Sequence, residues 1–242
     1  MSADKKTNNW PILLLAMAWP SLMSWMETGW ILPTPEAERS RLQTNLFVFG
    51  KVFQFALPVV FVLLTQPALL WPRRPRAAGL GAGALFALVV AGGMALLYFG
   101  FLRDTPLFEA TAGKMREWLH KFGLDNAGGF LTFAVGLSVV HSLLEEYYWR
   151  WFVFGRLRGE MPWLGAAAVS GLAFMSHHVI VLTYYLPGYF WIGVAPFSLC
   201  VAVGGFVWAV LYHKYDNLYA AWLSHLLIDA AIMGVGWDLL ER

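Results

Sequence analysis

The feature that most constrains this chain is its succession of long apolar stretches. A helix that crosses a bilayer needs about 20 predominantly apolar residues, and seven stretches meet that length, near 10–32, 45–70, 79–101, 128–153, 163–184, 190–212 and 217–238. Charged residues make up only 13% of the 242 residues, whereas they are about a quarter of an ordinary soluble domain. The sequence therefore predicts an all-α protein, a polytopic transmembrane bundle of about seven or eight helices.

Composition excludes several other classes of protein. The single cysteine, Cys200, excludes a disulfide framework, a zinc–thiolate cluster and a CxxC redox pair. The net charge is only +2 without a basic stripe, so we expect no nucleic-acid partner. Residues 16–18 resemble a signal-peptide cleavage site, but the apolar run before them covers only 10–15. We therefore expect a retained first span and not a cleaved leader.

Positive charge in the connecting segments predicts the orientation of the chain. One side of the membrane would carry most of the basic loop residues, namely Lys5, Lys6, Arg73, Arg74, Arg76, Arg156, Arg158 and Lys214. By the positive-inside rule this side is cytoplasmic, which places the amino terminus inside and the carboxyl terminus outside. The compact size favours a bacterial inner (plasma) membrane over an endoplasmic reticulum.

The segment 104–126 differs from the apolar stretches. Met115, Trp118, Leu119 and Phe122 recur at helical spacing, and the charged residues of the segment take the other face. This pattern predicts a short helix that lies in the headgroup region, and an ordinary loop is the alternative. We accordingly divide the chain into N-terminal helices with this interfacial helix, 1–127, and a core, 128–242.

Ionisable residues inside spans are costly, at about 3 kcal/mol each for Asp, Lys or Arg near a helix centre. They nonetheless occur in three of the last four spans, as His141, Glu145, Glu146, Arg150, His177, His178, His225 and Asp229. The second span contributes only Lys51, near an end, where a lysine can extend to the interface. Such intramembrane groups indicate a functional site.

Helical spacing sorts these residues into pairs. Glu146 and Arg150 stand four apart and can form an ion pair on one face. Glu145 points about 100° away, so it need not be consumed by Arg150. His225 and Asp229 are also four apart, so the aspartate can orient the imidazole.

Depth brings three of the helices to a common level. Glu145, His178 and His225 lie at similar distances, roughly 12 Å or more, from the cytoplasmic ends of their spans. His177 points in a different direction from His178, so at most one of the two would face the same cavity. A carboxylate and an imidazole that hold one water form a general base for hydrolysis, and a second imidazole can stabilise an oxyanion.

Three motifs occur in order on these spans. Residues 145–150 fit EExxxR, residues 174–178 fit FxxxH, and residues 225–229 fit Hxxx followed by Asn or Asp. Together they resemble the CPBP family, which contains the type II CAAX prenyl endopeptidases and the bacterial Abi proteins. The resemblance covers roughly 128–238, and the first three spans match only as extra helices.

The resemblance implies a glutamate-dependent intramembrane protease with a four-helix catalytic core and neither a cofactor nor a catalytic metal. By motif position, Glu145 and His178 would activate the hydrolytic water. The substrate would be a membrane-associated peptide or protein, such as a prenylated CAAX-like, leader or sorting-signal segment, which meets the enzyme within the lipid bilayer.

The remaining motif residues would support this chemistry. The resemblance implies that His225 and Asp229 form the oxyanion site and that Glu146 and Arg150 support the residues that touch the substrate. Asp229 stands where many members have Asn, and an ionised aspartate would repel an oxyanion unless it is protonated or serves mainly to orient His225. Trp151 after Arg150 is a further departure.

Two other functions remain open from sequence. Glu145, His178, His225 and Asp229 are a plausible nitrogen and oxygen ligand set for zinc, although the chain has no HExxH signature. A metal-dependent membrane hydrolase is therefore one alternative. The other is a non-catalytic scaffold, immunity protein or transporter in which the buried charges only pair.

Overall fold

The computed structural model describes residues 9–65 and 77–241, which contain helices and no strand. The predicted all-α class is confirmed. The helices are α1 (Trp10–Met26), α2 (Arg41–Thr65), α3 (Leu80–Leu97), α4 (Pro106–Lys121), α5 (Ala127–Val135), α6 (Ser142–Glu146), α7 (Gly155–Glu160), α8 (Trp163–Tyr185), α9 (Ala195–Tyr215) and α10 (Leu218–Glu241). Wider π-helical turns continue or join several of them, at Glu27–Ile31, Tyr98–Leu102, Gly136–His141, Tyr147–Phe154 and Phe190–Val194.

Six helical stretches in the described ranges are long and apolar enough to cross a membrane. They are Arg41–Thr65, Leu80–Leu102, Ala127–Glu160, Trp163–Tyr185, Phe190–Tyr215 and Leu218–Glu241. Six of the seven predicted spans are thus confirmed as helices of spanning length. The predicted end of the second span, 66–70, and the basic residues Lys5, Lys6, Arg73, Arg74 and Arg76 lie outside the described residues.

The predicted first span, 10–32, is helical but is not one of the six. Prolines, tryptophans, serines and Glu27 dilute its apolar residues. Hydrogen bonds at its two ends show that it runs the height of the bundle. At one end, Asn9 Nδ2 donates to Glu160 Oε1 (2.8 Å). At the other end, Lys121 Nζ donates to the Leu32 carbonyl (2.8 Å). This helix therefore lies parallel to the spans and is less apolar than they are.

Local sequence explains several helix ends. Pro106 occupies the first turn of α4, where its missing N–H costs nothing. Asn126 caps α5 by accepting a hydrogen bond from the Gly129 N–H (2.9 Å). Before α3, Gly79 has a positive φ of 84°, and a Cβ there would overlap the Tyr215 ring. Only glycine suits that turn.

Small residues let the core helices approach closely. A Cβ on Gly171 of α8 would lie 2.8 Å from the Ala202 carbonyl oxygen of α9, and Gly205 faces Gly171 across the same seam. A Cβ on Gly83 of α3 would overlap the Ala220 carbonyl oxygen of α10. Without a hydrophobic drive between helices in lipid, such close backbone packing is a main source of association.

The N-terminal helices pack directly on the helices of the 128–242 region. Tyr148 Oη donates to the Ala16 carbonyl of α1 (2.8 Å). The hydroxyls of Ser21 in α1 and Ser176 in α8 share a hydrogen bond of 2.7 Å. The division of the chain near residue 127 stays a prediction, and these contacts make α1 part of the wall around the polar residues of α8.

The segment predicted to be an interfacial helix forms α4. Leu107, Ala112 and Leu119 are buried on one side. On the outer side, Glu117 accepts from Lys121 and from Lys114, at 3.0 Å each, and these ammonium groups lower the pKa of the Glu117 carboxyl. Leu119 is buried as the sequence pattern predicts, whereas Phe122 of the same predicted face is 49% exposed, and the location of α4 in the headgroup region stays a prediction.

Candidate active site

The helix that carries the two adjacent glutamates is irregular. The five-residue α6 holds Glu145 and Glu146 and lies between π-helical turns at Gly136–His141 and Tyr147–Phe154. Such turns are rare and occur often at functional sites. They depart from the 3.6-residue period, which is why the apolar pattern of the span did not predict them.

Glu145 is surrounded by imidazoles from three segments. Its Oε1 lies 3.3 Å from His141 Nε2 and 3.5 Å from His177 Nε2 of α8. Its Oε2 lies 3.7 Å from His225 Nε2 of α10. The residue is only 4% exposed. One buried carboxylate thus has imidazole nitrogens near both of its oxygens.

Glu146 joins α10 and the turn that follows α6 to this cluster. Its Oε1 lies 2.9 Å from His225 Nδ1, and its Oε2 lies 3.0 Å from Arg150 Nε. Glu146 and Arg150 are both fully buried. The ion pair agrees with the i, i+4 spacing, whereas the contact with His225 joins residues 79 positions apart and has no local sequence signal.

Arg150 lies between two aromatic rings. Its guanidinium carbon is 4.8 Å from the Phe174 ring centre and 5.0 Å from that of Trp208. Both are within the range of favourable cation–π interactions. Its Nη1 and Nη2 atoms have no hydrogen-bond partner among the described residues. The charge is therefore held by Glu146 and by ring faces.

His225 is held on every side. Its ring stacks on Trp208 at 4.1 Å between centres and an interplanar angle of 17°. The Trp208 indole N–H donates to Ser224 Oγ (3.0 Å), which fixes the indole in turn. His225 Nε2 lies 3.6 Å from Asp229 Oδ1. The imidazole therefore has carboxylate oxygens near both ring nitrogens.

The structure brings His177, and not the expected His178, against Glu145. His178 Nδ1 donates to the Phe174 carbonyl one turn earlier (3.0 Å). No ion pair or hydrogen bond joins His178 to Glu145 within residues 9–65 and 77–241. Successive helical side chains point about 100° apart, so the rotation of α8 decides which of the two faces the carboxylate.

Of the predicted site residues, Glu145, Glu146, Arg150, His225 and Asp229 come together, and His178 lies beside them, 4.1 Å from His177 between ring centres. His141 belongs to the cluster although it lies outside the three motifs. Its i, i+4 spacing to Glu145 was the available signal. Stacking by Trp208 had no such signal.

The zinc alternative requires a group of three or more ligands. No three His, Cys, Asp or Glu side chains of the described chain are arranged to hold a metal ion. Glu145, His178, His225 and Asp229, which sequence offered as a ligand set, do not form such a group.

An apolar groove lies next to the cluster. It has a volume of about 590 Å³ and runs between the α5 segment and α10, with Leu131, Val135, Met233 and Trp237 among its lining residues. Ser138, Leu226 and Ala230 also line it. Leu226 and Ala230 directly follow His225 and Asp229 in the chain, so the groove passes the level of the polar residues.

Comparison with known proteins gives one family. Residues 127–231 match a family described as Type II CAAX prenyl endopeptidase Rce1-like. This match confirms the resemblance to CPBP membrane proteases, and it covers less than half of the 242-residue chain. No curated protein and no solved structure matches the chain.

Proposed function

We propose that this membrane protein is a metal-independent, glutamate-dependent intramembrane endopeptidase, with the cluster around Glu145 as its active site. The family matched by residues 127–231 implies a membrane protease. The single observation that carries the finer proposal is the location of Glu145, whose two oxygens lie near His177 Nε2 and His225 Nε2.

In the proposed reaction, Glu145 takes a proton from a water at its Oε2, while His141 and His177 hold Oε1. The water oxygen then attacks the carbonyl carbon of the scissile amide. Glu145 returns the proton to the amide nitrogen as the carbon–nitrogen bond breaks, which releases an acid and an amine. General-base catalysis of this kind contributes about 10²- to 10⁴-fold in rate.

His225 would stabilise the oxyanion of the tetrahedral intermediate. Carboxylate oxygens of Glu146 and Asp229 face its two ring nitrogens at 2.9 and 3.6 Å. With a proton on each nitrogen, Nδ1–H donates to Glu146 and Nε2–H is available to the oxyanion. The Glu146–Arg150 pair and the Trp208 ring hold the imidazole in place.

The substrate would be a membrane-associated peptide or protein with an apolar portion. The groove between α5 and α10 is lined mainly by apolar residues and passes the level of His225 and Asp229. A prenylated CAAX-like segment, a leader or a sorting signal each combines a peptide bond with an apolar group or helix.

The test compares wild-type protein with Glu145→Gln in two assays. Cleavage of a farnesylated CAAX peptide in proteoliposomes should fall by about 10²-fold or more in the variant. Comparative peptidomics of cell membranes should show peptides that accumulate only with the wild type. Glu109→Gln, an exposed glutamate of α4, is the matched control. Equal cleavage by wild type and Glu145→Gln would remove this carboxylate from catalysis.

We also propose a bacterial inner membrane and a cytoplasmic amino terminus. In a Cys200→Ala background, an impermeant maleimide should label Glu38→Cys in intact cells. Lys214→Cys, exposed in the last turn of α9, should react only after permeabilisation. The reverse labelling pattern would invert the orientation.

A further inference from the structure

We propose that His141 is a positioning residue that holds one oxygen of Glu145 and so directs the other toward the reacting water. This inference rests on the proposed function. His141 lies outside the three motifs, contacts Glu145 and has an exposed side chain.

Two imidazoles converge on the same carboxylate oxygen. His141 Nε2 lies 3.3 Å from Glu145 Oε1 and belongs to the same span as Glu145. His177 Nε2 lies 3.5 Å from the same oxygen and belongs to α8. Among the described residues, the ion-pair partner of Oε2 is His225 Nε2, at 3.7 Å. A donor on Oε1 from His141 leaves Oε2 as the oxygen that accepts the proton of water.

Exposure separates His141 from the other imidazoles. Its side chain is 45% exposed, compared with 10% for His177 and 5% for His225. Of the three imidazoles that contact Glu145, His141 is therefore the one that is exposed at the surface. Ser138, one turn earlier on the same segment, lines the apolar groove, so His141 follows the groove-lining part of its segment.

The charges around His141 come from four further elements. Glu27 follows α1, Lys51 belongs to α2, His177 to α8 and Asp229 to α10, and all four lie within electrostatic range of His141. Two of these groups lie in the part of the chain before residue 127. The N-terminal helices thus contribute to the surroundings of the residue that contacts the base.

This arrangement predicts an effect on chemistry and not on substrate affinity. A shift of about 1 Å in a catalytic group costs up to about 10²-fold in rate. In proteoliposomes with a farnesylated CAAX peptide, His141→Ala should lower kcat 10- to 100-fold and change KM by less than threefold. His141→Gln places an amide N–H on the same side and should recover kcat to within fivefold of wild type.

The controls separate positioning from folding and from the parent proposal. His120→Ala, 82% exposed on α4, should behave as wild type, and each variant should retain the wild-type Tm. Unchanged kcat in His141→Ala, a rise in KM alone, or failure of the Gln variant to recover kcat would overturn the inference. Activity retained in Glu145→Gln would instead overturn the proposed function.

A second measurement needs no substrate. In protein labelled with ¹⁵N-histidine, the His141 signals are identified by their loss in His141→Gln. Replacing Glu145 by Gln should shift the His141 Nε2 resonance, because the contacting charge is removed. An Nε2 resonance that does not move would overturn the contact and with it the inference, whether or not the peptide is cleaved.

Discussion

His225 Nδ1 lies 2.9 Å from Glu146 Oε1, so the glutamate that pairs with Arg150 also orients an imidazole of the last helix. The second glutamate of the pair thereby links α6, the following turn and α10. Its role depends on two partners, and each can be removed separately.

Arg150→Met should destabilise the protein strongly. Removing one partner of a buried ion pair costs about 3–5 kcal/mol, because the other charge stays buried without compensation. The double variant Glu146→Gln with Arg150→Met should recover part of the lost Tm, since it removes both charges. Thermal unfolding in micelles, followed by tryptophan fluorescence, gives the four Tm values of the cycle. Strictly additive Tm changes would show that the pair is not coupled.

His177→Ala should reduce kcat more than His178→Ala does. His177 Nε2 contacts Glu145, whereas His178 donates to a carbonyl of its own helix. We expect a loss of about 10²-fold for His177 and less than tenfold for His178, measured on the same peptide. The opposite ranking would restore the assignment made from the motif spacing.

Asp229→Asn should retain activity within tenfold of wild type. Asp229 Oδ1 lies 3.6 Å from His225 Nε2, and an amide keeps an oxygen there without repelling a developing oxyanion. Asp229→Leu removes the oxygen that faces His225 Nε2, and its activity should fall by about 10²-fold. Equal loss in both variants would mean that the carboxylate charge itself is required.

Gly171→Ala should lower the Tm of the bundle. The added Cβ would lie 2.8 Å from the Ala202 carbonyl oxygen, and overpacking of this kind costs about 1–3 kcal/mol. Gly92→Ala in α3 is the matched control, since its Cβ would meet nothing within 4 Å. If the Tm falls equally in both variants, replacing a helical glycine would lower stability at either position. Close packing at the α8–α9 seam would then not be the cause.

The sequence predicted the helical class and the six confirmed spans, because a long apolar segment in lipid has few structures open to it other than a helix. It also singled out Glu145 and the Glu146–Arg150 pair, whose signals are local. The His225–Glu146 contact and the stacking on Trp208 depend on how separate helices pack, which spacing within one helix does not encode. The choice between His177 and His178 needs the rotation of α8 about its axis.

The wide turn at Gly136–His141 has a consequence for chain length. Each such turn accommodates a residue that an ordinary helix of the same height would leave out. Deleting Val139 or Val140, whose side chains are 37% and 56% exposed, would tighten the segment to regular pitch. Because the wide turn takes up the extra residue, the faces before and after it would stay aligned, whereas the same deletion in the regular helix α8 would turn one half of that helix by about 100° relative to the other.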